Sequence, residues 1–234
     1  MPLLQTILRN ASVHRFAVFF LILIALILLP PYFQGSVTLD SIWLGLLSAT
    51  LLWSIYAVAD SRSAYLLTGL ILLPTLISTW IGRLDDASIE LHYLDNITNI
   101  AYFGLVSGYL AVFIFRSRKV TSEVLFAAMC LYISLAVLWG AIYTNIALYF
   151  EASYLFYGMT PQQAGIQPDQ LFSYMMYYSF VTLSTLGYGD IIPVHRVAQN
   201  WAAVEAMIGQ FYIAIVVARL VAMYTITQTT DTEG

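Results

Sequence analysis

The chain has 234 residues, of which 60% are hydrophobic and only 9% charged, and its mean hydropathy is +0.80. Ordinary soluble domains carry about 25% charged residues, so this chain cannot cover a water-facing surface, and its composition is that of an integral membrane protein. The net charge of -4 comes without any basic run, which excludes nucleic acid as an expected partner.

A helix needs about 20 apolar residues to cross the hydrocarbon core. Six stretches approach that length, near residues 13–31, 41–59, 63–81, 97–115, 123–150 and 197–224. The first follows Arg9, His14 and Arg15, as a secretory leader would. Pro30-Pro31-Tyr32-Phe33 then replaces a small-x-small cleavage site, and further apolar spans come later, so an uncleaved transmembrane helix is expected. The fourth stretch contains no basic residue; Arg116, Arg118 and Lys119 cluster just beyond it. A voltage sensor needs several cations at every third position, because each elementary charge gains only ~2.3 kcal/mol per 100 mV. Strong voltage gating by that route is therefore not expected, and the three cations read as orientation anchors or an anionic-lipid contact. Cys130, the single cysteine, lies in the fifth stretch, cannot form an intrachain disulfide and reads as a packing or lipid-facing residue.

Between the fifth and sixth stretches, Thr160-Pro161 reads as a helix N-cap with proline at the first position, and Asp169 as the start of another helix. The apolar run 171–186 is too short to span and ends next to glycine, which suits a re-entrant helix. Irregular backbone at membrane depth is tolerated only where protein or water surrounds it, so this segment is expected to be buried in an assembly. In the sixth stretch, Glu205 sits inside an apolar helix at a cost of roughly 2.5–3.5 kcal/mol on insertion scales. It is expected to pack behind the re-entrant helix, bonded to a hydroxyl there. Further along, Ile213, Val217 and Val221 recur at helical spacing and face either a cavity or lipid.

Arg9, Arg15, Arg62, Arg116, Arg118, Lys119 and Arg219 fall on one side of this topology, and Arg83 and Arg196 on the other. The positive-inside rule then puts both termini in the cytoplasm, with the chain in the plasma (inner) membrane. Outer loops collect Asp40, Asp85, Asp86, Glu90, Asp95, Glu151, Asp169 and Asp190, which are either simply solvated or concentrate cations at an outer mouth. After Tyr224 about ten residues remain, mostly Thr, Gln, Asp and Glu, so no cytoplasmic ligand-binding domain is expected. All three histidines lie at helix ends or in loops, with no nucleophile paired to them inside the membrane, so an enzyme is not expected. His195 reads as an outward surface residue or a proton sensor.

Residues 182–190 read T-L-S-T-L-G-Y-G-D. Glycines allow backbone conformations that a β-carbon forbids, and the donors on offer are carbonyl and hydroxyl oxygens. Such a set suits a hard monovalent cation better than a catalytic metal, since imidazole and thiolate are absent. The run Y-Y-S-F-V-T-L-S-T-L-G-Y-G-D at 177–190 resembles the pore loop of potassium channels, and residues 123–224 resemble their two-helix pore module. In such a filter, rings of carbonyl oxygens from four loops replace the ion's hydration shell.

The resemblance implies an all-α membrane protein with six transmembrane helices plus a re-entrant pore helix and selectivity filter, assembled as a homotetramer in the lipid bilayer. It divides the chain into a four-helix region at 1–122, a pore module at 123–226 and a short tail at 227–234. Carbonyls of Thr185, Leu186, Gly187 and Tyr188 would line the filter with Gly189 closing it, and the Thr185 hydroxyl would supply the innermost ring. Potassium ions would be the permeant species, with no other cofactor. The Tyr188 ring would pack behind the filter. Thr182 would bond or pack against the pore helix, and Asp190 would brace the filter mouth. Gly209 falls where the family places a hinge glycine, with close helix packing as the other reading. Two departures stand out: Tyr177 and Tyr178 occupy positions often held by two tryptophans, and Val181 stands where some members carry a glutamate paired with the filter aspartate. The Tyr177 hydroxyl is the expected replacement partner for Asp190. A weakly selective cation channel and a non-conducting pore-like subunit remain as alternatives.

Overall fold

The computed structural model describes residues 15–29, 37–58, 62–81 and 89–232. Arg9, His14, the Pro30–Phe33 stretch, Arg83, Asp85 and Asp86 lie outside the described residues. The elements in chain order are α1 (Arg15–Leu28), α2 (Val37–Val58), α3 (Arg62–Ile81), α4 (Ile89–Arg116), α5 (Ser122–Tyr149), β1 (Tyr154–Phe156), α6 (Pro168–Leu183), β2 (Ile191–Pro193) and α7 (Arg196–Phe211). A π-helical segment, Tyr212–Val217, then leads into α8 (Ala218–Thr232). Three helical runs, Ile89–Arg116, Ser122–Tyr149 and Arg196–Thr225, are long and apolar enough to cross a membrane; Arg15–Leu28, Gly45–Ala57 and Leu66–Ile81 are shorter apolar helices.

The described residues fall into two compact units, one drawn from Met1–Leu76, Leu105–Ser134 and Met223–Gly234, the other from Ile77–Gly104 and Leu135–Ala222. In the first unit, Phe16, Phe19, Leu23 and Leu26 are buried at a three-to-four-residue spacing that gives α1 one packed face. Phe16 meets Phe113 at 4.8 Å between ring centroids, and the Arg15 guanidinium lies over both rings. The Trp53 indole N–H donates to the Arg15 carbonyl at 3.2 Å. Cys130 is fully buried with its Sγ 3.5 Å from the Phe16 carbonyl oxygen, which selects the packing reading over the lipid-facing one. Arg116, Arg118 and Lys119 are exposed at the end of α4.

In the second unit, Asp95 and Glu90 belong to α4, which corrects the expectation that they sit in a loop. Asp95 Oδ1 accepts from Ser78 Oγ at 3.1 Å, Thr79 Oγ1 at 2.6 Å and Asn99 Nδ2 at 3.1 Å, so this carboxylate is fastened by neutral donors rather than left in solvent. The core of this unit gathers Trp139, Tyr143, Ile146, Tyr154, Phe156, Leu171, Met175, Tyr178, Ile191 and Ala198. Buried tyrosines dominate it: Tyr143, Tyr154 and Tyr178 meet edge to face at 5.0–6.1 Å. Gly140 lets α5 close on α6, because a Cβ there would lie 2.9 Å from Met176 Cα.

Candidate functional site

Helix α6 starts one residue before Asp169 and is capped by Gln167, not by Asp169 as expected. Pro168 occupies the first turn, where its missing N–H costs nothing, and Gln170 reaches back to accept from the Gln167 N–H at 3.3 Å. Thr160 does behave as a cap: its Oγ1 accepts from the Gln163 N–H at 3.3 Å while Gln163 Oε1 accepts from the Thr160 N–H at 3.0 Å. What it opens is a turn rather than the helix expected, closed by Gly165 at φ +69°. The segment beyond Asp190 is tied to this loop by β1 and β2, which pair antiparallel with Leu155 opposite Ile192. The Tyr157 N–H also donates to the Asp190 carbonyl at 2.7 Å.

At its far end α6 runs out through its own hydroxyls. Thr182 Oγ1 donates to the Tyr178 carbonyl at 2.9 Å and Ser184 Oγ to the Phe180 carbonyl at 2.7 Å, so both are occupied by the preceding helical turn. Then the backbone changes character. Thr185, Gly187 and Gly189 have φ of +58°, +60° and +77°, while Leu186 and Tyr188 do not have positive φ. A strand points successive carbonyls to opposite sides; a chain whose residues alternate in φ sign can present them to one side. Glycine adopts positive φ freely, but for a β-branched residue such as Thr185 it is an outlier. Strain of this kind costs on the order of 1–3 kcal/mol and persists only where surroundings enforce it. The enforcement is visible: the Thr185 N–H donates to the Thr182 carbonyl at 2.9 Å, and the Leu186 and Gly187 N–H groups both donate to the Val181 carbonyl, at 2.9 and 3.3 Å.

Tyr177 and Tyr178 divide their work. Tyr178 is buried between Tyr143 and Tyr154. Tyr177 is exposed, and its hydroxyl donates to Asp190 Oδ2 at 2.7 Å. That hydrogen bond pushes the Tyr177 phenol up to about 12, so it stays a donor through neutral pH. Asp190 also caps its own turn, Oδ1 accepting from the Ile191 N–H at 3.1 Å. Tyr188 does not pack behind the segment within its own chain; it is 66% exposed, and residues 184–189 are exposed throughout. His195 is half-buried and held in place: its Nδ1 accepts from the Val197 N–H at the start of α7, and its ring stacks on Phe150 at 4.3 Å. In the β1 strand, burial pushes the Tyr154 phenol up from its ordinary value.

Behind α6, Glu205 is fully buried and bonded to the hydroxyl of Ser179. Its second partner, Tyr143, was not singled out by the sequence, although a buried carboxylate with two oxygens calls for a second donor. One turn on, a Cβ at Gly209 would run into the Leu183 carbonyl oxygen and lie 2.9 Å from its carbon, so close approach accounts for glycine there. Gln210 Nε2 is 3.4 Å from Thr185 Oγ1, another contact the sequence did not announce. No cluster of His, Cys, Asp and Glu suited to a metal ion occurs among the described residues.

No curated protein and no solved structure matches the chain. Residues 120–226, the stretch that holds α5, the β pair, α6, the glycine-rich segment and α7, match the family model described as ion channel.

Proposed function

We propose that the protein is a potassium-selective channel in which 185–189 are the filter, four chains surround one pore, and six helices per chain cross the plasma membrane with both termini cytoplasmic. The observation that carries this reading is the alternation of φ at Thr185, Gly187 and Gly189, including a β-branched residue in a conformation it avoids. Carbonyls brought to one side by that alternation supply the oxygen ligands that replace an ion's water. An exposed 184–189 segment at membrane depth needs neighbours, and copies of the same chain provide them. Tyr177, Tyr178, Thr182 and Asp190 support the filter from behind and at its mouth. The fourth helix carries no row of cations, so opening answers to a stimulus other than strong voltage sensing; a conductance–voltage curve carrying several gating charges would contradict that part.

Purified protein in liposomes tests the reading through ion flux under potassium and then sodium gradients. Selective potassium flux is expected, and Gly187→Ala abolishes it. Space is open around Gly187, but alanine at φ +60° is strained by about 1–2 kcal/mol, so the loss comes without a packing clash. Equal sodium and potassium flux would point instead to a weakly selective channel, and no flux to a non-conducting subunit.

A further inference from the structure

A carboxylate buried in an apolar helix persists only if something holds it. Both oxygens of Glu205 are held. The Tyr143 hydroxyl donates to Oε2 at 2.5 Å and the Ser179 hydroxyl to Oε1 at 2.5 Å, and all three residues are fully buried. These partners come from α5, α6 and α7, so one side chain ties three helices together. Hydrogen bonds in an apolar interior are electrostatically stronger than in water, which makes this tie firmer than the apolar contacts around it.

Its position gives the tie a direction. Ser179 and Leu183 are one turn apart on α6, and Glu205 and Gly209 are one turn apart on α7. The two helices therefore meet twice along matching faces: through the carboxylate, and through the bare Cα of Gly209 against the Leu183 carbonyl. Gln210 continues the row to Thr185. Leu183 ends α6, and strained backbone begins two residues later. A shift of Ser179 is carried by a rigid helical turn to Leu183 and on to Thr185.

We propose that Glu205 is a positioning residue for the filter: by holding Ser179 and Tyr143 it sets where α6 ends, and so keeps 185–189 in the alternating conformation that selects the ion. The proposal rests on the reading of 185–189 as an ion filter.

The test uses the full chain in liposomes, comparing wild type with Glu205→Gln, Glu205→Leu, Ser179→Ala and the double variant Ser179→Ala/Glu205→Leu. Flux is normalised to folded, assembled protein, and the potassium-to-sodium ratio is taken from the reversal potential. Glutamine keeps one acceptor and one donor at the same reach and is expected to retain the wild-type ratio. Leucine fills the volume without a polar atom, and is expected to fold while lowering the ratio about tenfold, the effect of losing one buried hydrogen bond. Ser179→Ala is expected to lower the ratio as well. The double variant should do no worse than Glu205→Leu alone, because the two act through one contact. An unchanged ratio in both the leucine and the alanine variants, with wild type selective, would overturn the proposal and leave the channel reading standing. The same holds if the two losses simply multiply. Absence of ion flux in the wild type would sink both.

Discussion

Replacing Gly209 by alanine places one methyl group where α7 rests on the last residue of α6. An ideal Cβ there lies 2.9 Å from the Leu183 carbonyl carbon and 3.3 Å from its Cα, and nearer still to the carbonyl oxygen. Comfortable carbon–carbon contact begins at about 3.5–4.0 Å, so the carbon contacts alone require the helices to part by roughly 0.6–1.1 Å, and clearing the carbonyl oxygen requires more. The obstacle is backbone, and Leu183 is fully buried, so no side chain can swing aside. Overpacking of this kind costs about 1–3 kcal/mol, while alanine's helix propensity returns up to about 1 kcal/mol. A net destabilisation is expected, together with disturbed ion selectivity, because the displaced residue sits two positions before Thr185. Thermal or denaturant unfolding of the purified protein, run beside liposome flux, measures both. Gly108→Ala is the control, since a Cβ at Gly108 has nothing within 4 Å. If Gly209→Ala matched the control in stability and changed only the time spent open, close packing would be refuted and a hinge role would stand in its place.

Gly140→Ala meets backbone at Met176 in the same way and should destabilise by a similar amount, about 1–3 kcal/mol, read by the same unfolding assay. Tyr177→Phe removes an exposed hydrogen bond to Asp190; stability should fall by no more than about 1 kcal/mol, while potassium currents decay faster during long openings, and an unchanged decay would count against Asp190 bracing the filter. Cys130 should resist maleimide in the native protein and react after denaturation, as followed by mass shift, because it is fully buried under Phe16.

How far the sequence could be read depended on how local the cause was. Hydropathy located the long helices among the described residues, because length and apolar content are properties of a single segment. T-L-G-Y-G located the unusual backbone, because glycine spacing encodes φ directly. Glu205 signalled that it needed a partner, and Ser179 is one. Tyr143 stayed hidden because it is one of 17 tyrosines and lies 62 residues away; nothing local distinguishes it. Asp169 was misplaced by one turn chemistry in competition with another: Gln167 with Gln170 caps the helix that Asp169 was expected to open. The three-residue strands Tyr154–Phe156 and Ile191–Pro193 are too short to show alternation, and only their pairing across the loop defines them.

The π-helical turn at Tyr212–Val217 has its own consequence. An α-helix bonds four residues back and a π turn five, so one such turn holds one residue more than the helix on either side. Each residue of an α-helix advances the azimuth by roughly 100°, and the surplus residue therefore offsets the phase of the downstream helix by about that angle. Counting in fours from Gly209 through Ile213, Val217 and Val221 assumes an unbroken α ladder, and that assumption fails inside this stretch. Loss of a single residue between 212 and 217 would restore the ladder, leave Glu205 and Gly209 in place, and turn Leu220 and Val221 to new azimuths. One codon therefore sets which side chains the stretch after Val217 presents, independently of what those side chains are.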